Sequence, residues 1–390
     1  MNEQTPNTAD PNYPERIEHT YEFVIPSRQK PERLDAFITK SILHATRTRV
    51  QKGIDAGIVT VNDLPTKANY KIRPGDVIRV TVMKPPPLEL IPQDIPLEIL
   101  YEDDVLMVIN KAPGILVHPG LGNRSGTLVN AVLWHLGYRE ALAVLKRRES
   151  WGDDEADADR TERDEDQSSD EDEAVQFTIG GEADVDTNGL RPGIVHRLDR
   201  DTSGVMVIGK TYDVTMELAT QFAERTVSRE YIALAWGVVK DDWRLIEGDI
   251  GRSPRDRKLR AIVERGGKYA ATEVTVLERH SCATLITCKL RTGRTHQIRV
   301  HLAAQRHSLV GDPDYGGRDA ALQAIHHSFK RLGQQMLKSI HRQALHARSL
   351  AFTHPVTGER MQFSSPMPDD MQQCLDLLRA SSATDTSAEA

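Results

Sequence analysis

Apolar residues return at helical spacing at Leu34, Phe37, Ile38 and Ile42, and again at Val50, Ile54 and Ile58, which predicts two short helices near the start of the chain. Alternation then takes over. Ile58 to Val61, an Asn62-Asp63 turn, and Val77 to Val82 behind an Arg73-Pro74-Gly75-Asp76 turn read as short strands. Consecutive prolines favour an extended conformation, so Lys84-Pro85-Pro86-Pro87 marks a stiff boundary, with residues 85–94 as a linker. Beyond it, Leu97 to Lys111 gives two strands about an acidic turn at Glu102 to Asp104, and a Gly- and Pro-rich stretch leads into a helix reaching about Leu136. Later strand-like runs are Ser228 to Gly237, Ala271 to Leu277, Thr284 to Leu290, Ile298 to His301 and Ala344 to Thr353. Helices are predicted over Val214 to Arg225, Asp319 to Lys330 and Asp369 to Leu378. Strands outnumber helices without regular βαβ alternation. The expected fold is therefore α+β: a mixed, largely antiparallel sheet over residues 95–379, behind a small αβ unit at 21–84. The polar ends, 1–20 and 380–390, are expected to be disordered tails.

A chain of 390 residues, 39% hydrophobic and 27% charged, is long enough for two domains with an ample core. No apolar run approaches the roughly 20 residues that span a bilayer. The N-terminus has neither a basic n-region nor an apolar h-region, so a cytoplasmic protein without membrane contact is expected. Cys282, Cys288 and Cys374 lack metal-site spacing and are expected as reduced thiols. The net charge of −7 conceals a strong asymmetry. Residues 149–186 hold 17 Asp or Glu against Arg160 and Arg163, a local balance of −15 that leaves +8 on the remainder. Self-repulsion and few apolar groups predict that this run is a disordered insertion. What remains is basic, as a phosphate-binding surface requires.

Chemistry concentrates in Gly193 to Thr211, GIVHRLDRDTSGVMVIGKT. Apolar flanks on both sides of a charged centre predict two strands around a loop. Thr202, Ser203 and Gly204 allow a tight turn and offer N–H and O–H donors to a carboxylate. On these residues alone the stretch reads equally as a loop that aims an ionised Asp or as a surface turn with solvated charges. A Ser-His-Asp hydrolase built from Ser203, His196 and Asp199 is disfavoured, because no G-x-S-x-G elbow is present and the three residues lie within one short stretch.

The nine residues His196 to Gly204, HRLDRDTSG, resemble the active-site motif of the RluA-type RNA pseudouridine synthases, most closely the C/D subgroup that acts on the large ribosomal subunit. The resemblance implies that Asp199 is the catalytic carboxylate and that Arg197 supports the flipped-out nucleotide. Arg229-Glu230-Tyr231 resembles the family's tyrosine strand, which implies that Tyr231 stacks on the uracil and handles the C5 proton. Arg291 to His301, RTGRTHQIRVH, matches a third motif, in which Arg299 is expected to pair with Asp199 and keep it ionised and aimed. Arg294 and His296 read as phosphate contacts or as solvated surface. His118, in a VHPG loop like that of the subgroup, either touches RNA or is structural. Gly311 to Gly317 (GDPDYGG), Leu345-His346-Ala347 and Phe352-Thr353-His354-Pro355 complete the pattern as architecture and pocket wall, while His307-Ser308 stands where the subgroup usually has His-Pro.

The N-terminal order RLDAFI, TRTRVQKGIDAGIVTVND, KIRPGDVIRV is similar to the S4 RNA-binding module, whose paired helices present basic residues to RNA; here these are Arg47, Arg49, Lys52, Lys67 and Lys71. Together the resemblances imply a monomeric enzyme that isomerises uridine to pseudouridine in 23S-like rRNA or a pre-50S particle, with no cofactor or metal. A tRNA-directed synthase and a non-catalytic assembly factor are the alternatives that the motifs leave open.

Overall fold

A computed structural model describes residues 17–42, 45–84, 88–119, 123, 125–139, 142–145, 193–256 and 259–388. The acidic run at 149–186 and residues 1–16 lie outside the described residues. Two compact units emerge, one drawn from the described residues up to 90 with 123, 125 and 142–145, the other from 91–119, 126–139 and the described residues from 193 on.

The first unit begins with β1 (Ile17–Val24), α1 (Leu34–Ser41) and α2 (Arg47–Asp55), followed by β2 (Val59–Val61), β3 (Leu64–Pro65), β4 (Val77–Lys84) and β5 (Leu88–Leu90). Four of its strands form a sheet in the order β1-β4-β2-β3. The helical spacing seen in the sequence has the expected cause: Leu34, Ile38, Val50 and Ile54 turn inward onto Val59, Ile72, Ile78 and Val80. Thr46 caps α2 by accepting the Arg49 amide. The two helices also share a buried carboxylate. Asp35 accepts a fork from Arg33 at 3.0 and 2.9 Å, Arg47 Nε at 3.1 Å, Gln51 Nε2 at 2.9 Å and the Ala36 amide at 2.9 Å. These donors, Arg33 foremost, hold its pKa well below the usual carboxylate range.

The second unit contains β6 (Glu98–Glu102), β7 (Leu106–Lys111) and α3 (Leu128–His135); β8 (Leu142–Leu145), which belongs to the first unit, pairs with β5. Then come β9 (Gly193–Ile194), β10 (Ser203–Gly209), α4 (Tyr212–Ala223), β11 (Ser228–Trp236), β12 (Trp243–Arg252), β13 (Arg260–Ile262), β14 (Lys268–Arg279) and β15 (Ala283–Leu290). The chain ends with α5 (Gln297–Ala304), α6 (Asp319–Ala324), a 3-10 turn (His327–Phe329), α7 (Lys330–Ser339), β16 (Leu345–Thr353), β17 (Arg360–Ser364) and α8 (Asp369–Ala388). Among the described residues the main sheet runs β13-β12-β14-β15-β11-β16-β10-β7-β6, with β17 on β16 and β9 on β10. Its pairs are antiparallel except β10 and β16, which run parallel through Ser203 opposite His346 and Gly204 opposite Ala347. Gly204 has φ +126°, and a Cβ there would lie 2.2 Å from the Ala347 carbonyl oxygen, so only glycine lets the strands meet. One apolar cluster joins Leu218 of α4 to Val205, Val207 and Phe352; another joins Met336 of α7 and Leu375 of α8 to Leu234 and Leu285. The α+β fold with a mixed, mainly antiparallel sheet is thus present. The three cysteines are free and buried.

Several local expectations change. Ile298 to His301 is helical: the Gln297 side chain binds Thr292, the Arg294 amide, the Ala271 carbonyl and Thr272, and these contacts fix the first turn of α5 against the β-preference of Ile298 and Val300. The predicted helix from Asp319 to Lys330 breaks after Ala324: α6 ends there, the 3-10 turn follows, and α7 begins only at Lys330. Strand β1 starts inside the expected tail at 1–20, where pairing with β4 supplies its hydrogen-bond partners. Strand β5 falls within the expected linker 85–94. Helix α8 continues to Ala388, well into the expected tail at 380–390.

Candidate active site

The loop between β9 and β10 is tied down almost residue by residue. The His196 ring accepts the Val207 amide at 3.1 Å and stacks on Phe222 at 4.6 Å; burial, with Arg229 adding, pushes its pKa down to about 3, so it is neutral. The buried Lys111 ammonium donates to three carbonyls, those of Ala112 (2.8 Å), Ile115 (2.8 Å) and Arg200 (2.9 Å). Arg342, forked on Asp370 at 2.7 Å twice, reaches the Asp201 carbonyl at 3.1 Å. Gln343 donates to the Thr202 hydroxyl at 3.1 Å, and Ser203 meets His346 Nδ1 at 2.9 Å. These contacts hold the backbone around Asp199, while the Asp199 side chain keeps 18% of its exposure.

Arg299, 3% exposed, points its NH1 at Asp199 Oδ2 across 3.3 Å. Its other nitrogens are engaged more tightly. Asp312 takes a fork at 2.8 Å twice, Asp314 accepts from NH2 at 2.6 Å, and the guanidinium lies 4.8 Å over the Tyr315 ring. Burial disfavours its charge, but Asp312, Asp199 and Asp314 outweigh that and keep it protonated. His296, in the left-handed conformation at φ 57°, shares a 2.9 Å hydrogen bond with the Tyr315 hydroxyl and stands 4.0 Å from Asp199 Oδ1. Ser308 donates to the Tyr315 carbonyl at 2.6 Å, so the departure from His-Pro is absorbed beside the site.

Tyr231 lies on β11, 6% exposed, opposite Cys288 on one side and Ala347 on the other. Burial raises its pKa; Asp199 adds to the rise and Arg229 opposes it, so both charges reach the phenol. Of the other residues singled out from sequence, Arg197 is exposed and His118 is partly covered. Burial pushes the His118 pKa down to about 3 with Arg197 adding, which puts these two together and leaves the imidazole neutral. Arg294 donates Nε to the Tyr269 carbonyl at 3.2 Å. In the first unit Lys52 is exposed, Arg49 is partly buried, and Arg47 spends its Nε on Asp35. Among the described residues no group of three or more His, Cys, Asp or Glu could hold a metal, and no helix is long and apolar enough to cross a membrane.

The sequence pattern of RNA pseudouridylate synthases matches residues 105–304. The chain belongs to that family. Residues 32–78 match the S4 domain. An uncharacterised RNA pseudouridine synthase of Chlorobaculum parvum is 40% identical over 354 residues, 90% of this chain and 95% of that protein. The ribosomal large subunit pseudouridine synthase D of Neisseria meningitidis serogroup A is 39% identical over 91% of this chain and 81% of that protein. An RNA pseudouridine synthase of Bacillus subtilis is 36% identical over 90% and 95%. In this pseudouridine synthase Lys111 holds the loop backbone without standing out in the sequence, and Asp312, Asp314 and Tyr315, expected as architecture and pocket wall, hold Arg299. Lys111 gave no signal beyond a charged residue ending an apolar strand. The acids of GDPDYGG carried only a weak one, since carboxylates in a turn are met by water as readily as by a cation.

Proposed function

We propose that the synthase modifies uridines of large-subunit rRNA, with Asp199 as the catalytic carboxylate. The observation that supports the chemistry is the asymmetric hold on Arg299: two carboxylates fix the guanidinium, and its remaining NH1 is offered to Asp199 without a tight fork. A carboxylate kept in place but incompletely satisfied suits attack on C1′ or assistance to N1–C1′ cleavage. The uracil, detached and turned, rejoins C1′ through C5, and the C5 proton leaves afterwards. Tyr231, whose raised pKa keeps it a neutral phenol, is proposed to stack on the base and relay that proton. Arg197 and His118, brought together at the loop's edge, are proposed to hold the space vacated by the flipped nucleotide. Arg294 is proposed to touch the RNA backbone nearby, and Arg49 and Lys52 to anchor RNA on the S4 unit, with Arg47 contributing charge.

The choice of target rests on full-length similarity to proteins bearing the large-subunit name. The protein is taken to act as a monomer, in the cytoplasm, on 23S rRNA or a pre-50S particle. Mapping pseudouridine across rRNA and tRNA, in cells with and without the protein, tests this. Sites lost from 23S rRNA support the reading, and sites lost only from tRNA replace the target.

A further inference from the structure

Among the described residues around this site, Arg229 has a buried guanidinium nitrogen without a partner. Arg299 and Arg342 each fork onto a carboxylate, at 2.8 and 2.7 Å. Arg229 forms no ion pair among the described residues, and its Nε is buried without a hydrogen-bond partner. Leaving a guanidinium donor both desolvated and unpaired is costly, so such a group is normally met by an anion.

The surroundings say where that anion comes. Arg229 lies two residues before Tyr231 on β11, and its charge reaches both the Tyr231 phenol and the His196 ring. Its guanidinium rests 5.4 Å over the Phe222 ring, the same ring on which His196 stacks. On another side lies Gly293, in the loop before α5 that leads to His296 and Arg299; a Cβ there would come 3.2 Å from Arg229 NH1. The aromatic support and the close glycine together hold the planar guanidinium beside Tyr231 and His196, on a side chain that is only partly buried.

We propose that Arg229 binds a phosphodiester of the substrate RNA, one of the two flanking the reacting uridine. The proposal rests on the synthase reading above. A guanidinium suits this task because its parallel N–H groups meet two phosphate oxygens at once, and because it stays charged at any working pH. The contact fixes the sugar of the flipped nucleotide relative to Asp199, so its loss is felt in the chemical step as well as in binding.

The test is single-turnover conversion of a short RNA carrying a uridine that the wild-type enzyme modifies. Three versions of the RNA are used: native, and with a neutral methylphosphonate at the phosphate on either side of that uridine. One neutral linkage is expected to slow the wild type by about 10- to 100-fold. Arg229→Gln is expected to be slowed by a similar factor on native RNA, with little further loss on that neutral linkage, and Arg229→Lys to recover part of the rate. Fully multiplicative losses, or an unaffected Arg229→Gln variant, would overturn the proposal. If Arg229→Gln fails to fold, the wild-type comparison still decides: no slowing at either linkage overturns it. Failure of the wild type to convert any native RNA would strike the synthase reading instead.

Discussion

Asp35 and Asp199 both face arginines, and they are held in opposite ways. Asp35, wholly buried in the first unit, accepts five hydrogen bonds from Arg33, Arg47, Gln51 and the Ala36 amide. Asp199, partly open in the second, receives a single 3.3 Å contact from an arginine whose other donors belong to Asp312 and Asp314. A carboxylate whose acceptor sites are filled is a structural pin; one whose neighbours are fixed while it stays under-coordinated keeps its lone pairs for substrate. An arginine beside an aspartate is therefore not a functional signal in itself. What discriminates is which partner of the pair is saturated.

The sharpest way to break this comparison is Asp199→Asn, expected to lower turnover by roughly 10³-fold or more while RNA affinity stays within a few-fold. Substantial remaining turnover in single-turnover assays would remove Asp199 from its role. Next in size is Asp312→Asn, which frees Arg299 to swing toward Asp199; misplacement of this order costs about 10²-fold in kcat. If kcat holds and only KM moves, the fork is not a positioning device. Asp35→Asn should leave kcat intact at saturating RNA and cost the first unit about 2 kcal/mol in urea unfolding. Because the folded pKa of Asp35 is depressed, its contribution is present above about pH 4 and is lost as pH falls below that. The Asn variant should lack that acid loss.

Two smaller effects sharpen the picture. Burial pushes the Lys111 pKa down to about 8, against the pull of Asp201 and Asp199. Deprotonation above that pH leaves two N–H donors for three carbonyls, so kcat should fall a few-fold as pH rises through about 8; Lys111→Met should start low and show no such step. A wild-type profile flat from pH 7 to 9 would separate the lysine from the loop. In the S4 unit, Arg49→Ala with Lys52→Ala should flatten the slope of log K against log salt by roughly 1 to 2. Arg47 is spared in that pair because its Nε also serves Asp35, and changing it would mix anchoring with folding. An unchanged slope would direct this surface to a partner other than RNA.

The elements legible in the sequence were those whose pattern is local. Apolar runs bounded by turns found β7 and β11, helical spacing found α1 and α4, and the run HRLDRDTSG located the loop with Asp199. Helix α5 was misread because Ile298 and Val300 favour strands, whereas Gln297 is set by partners about 25 residues away in Ala271 and Thr272. A longer separation, 89 residues, hid Lys111, whose third acceptor, the Arg200 carbonyl, comes from the loop before β10. The role of Arg47 was half seen: its charge was plain, its pairing with Asp35 was not.

Strand β16 lies between β11 and β10 in the sheet, although it is made more than a hundred residues after either begins. Tyr231 therefore has no lateral support toward the Asp199 loop until Leu345–Thr353 has been synthesised and slotted in. A chain that stops before Leu345 carries Asp199, Tyr231 and Arg299 without the strand that joins β11 to β10, and is expected to be inert toward RNA.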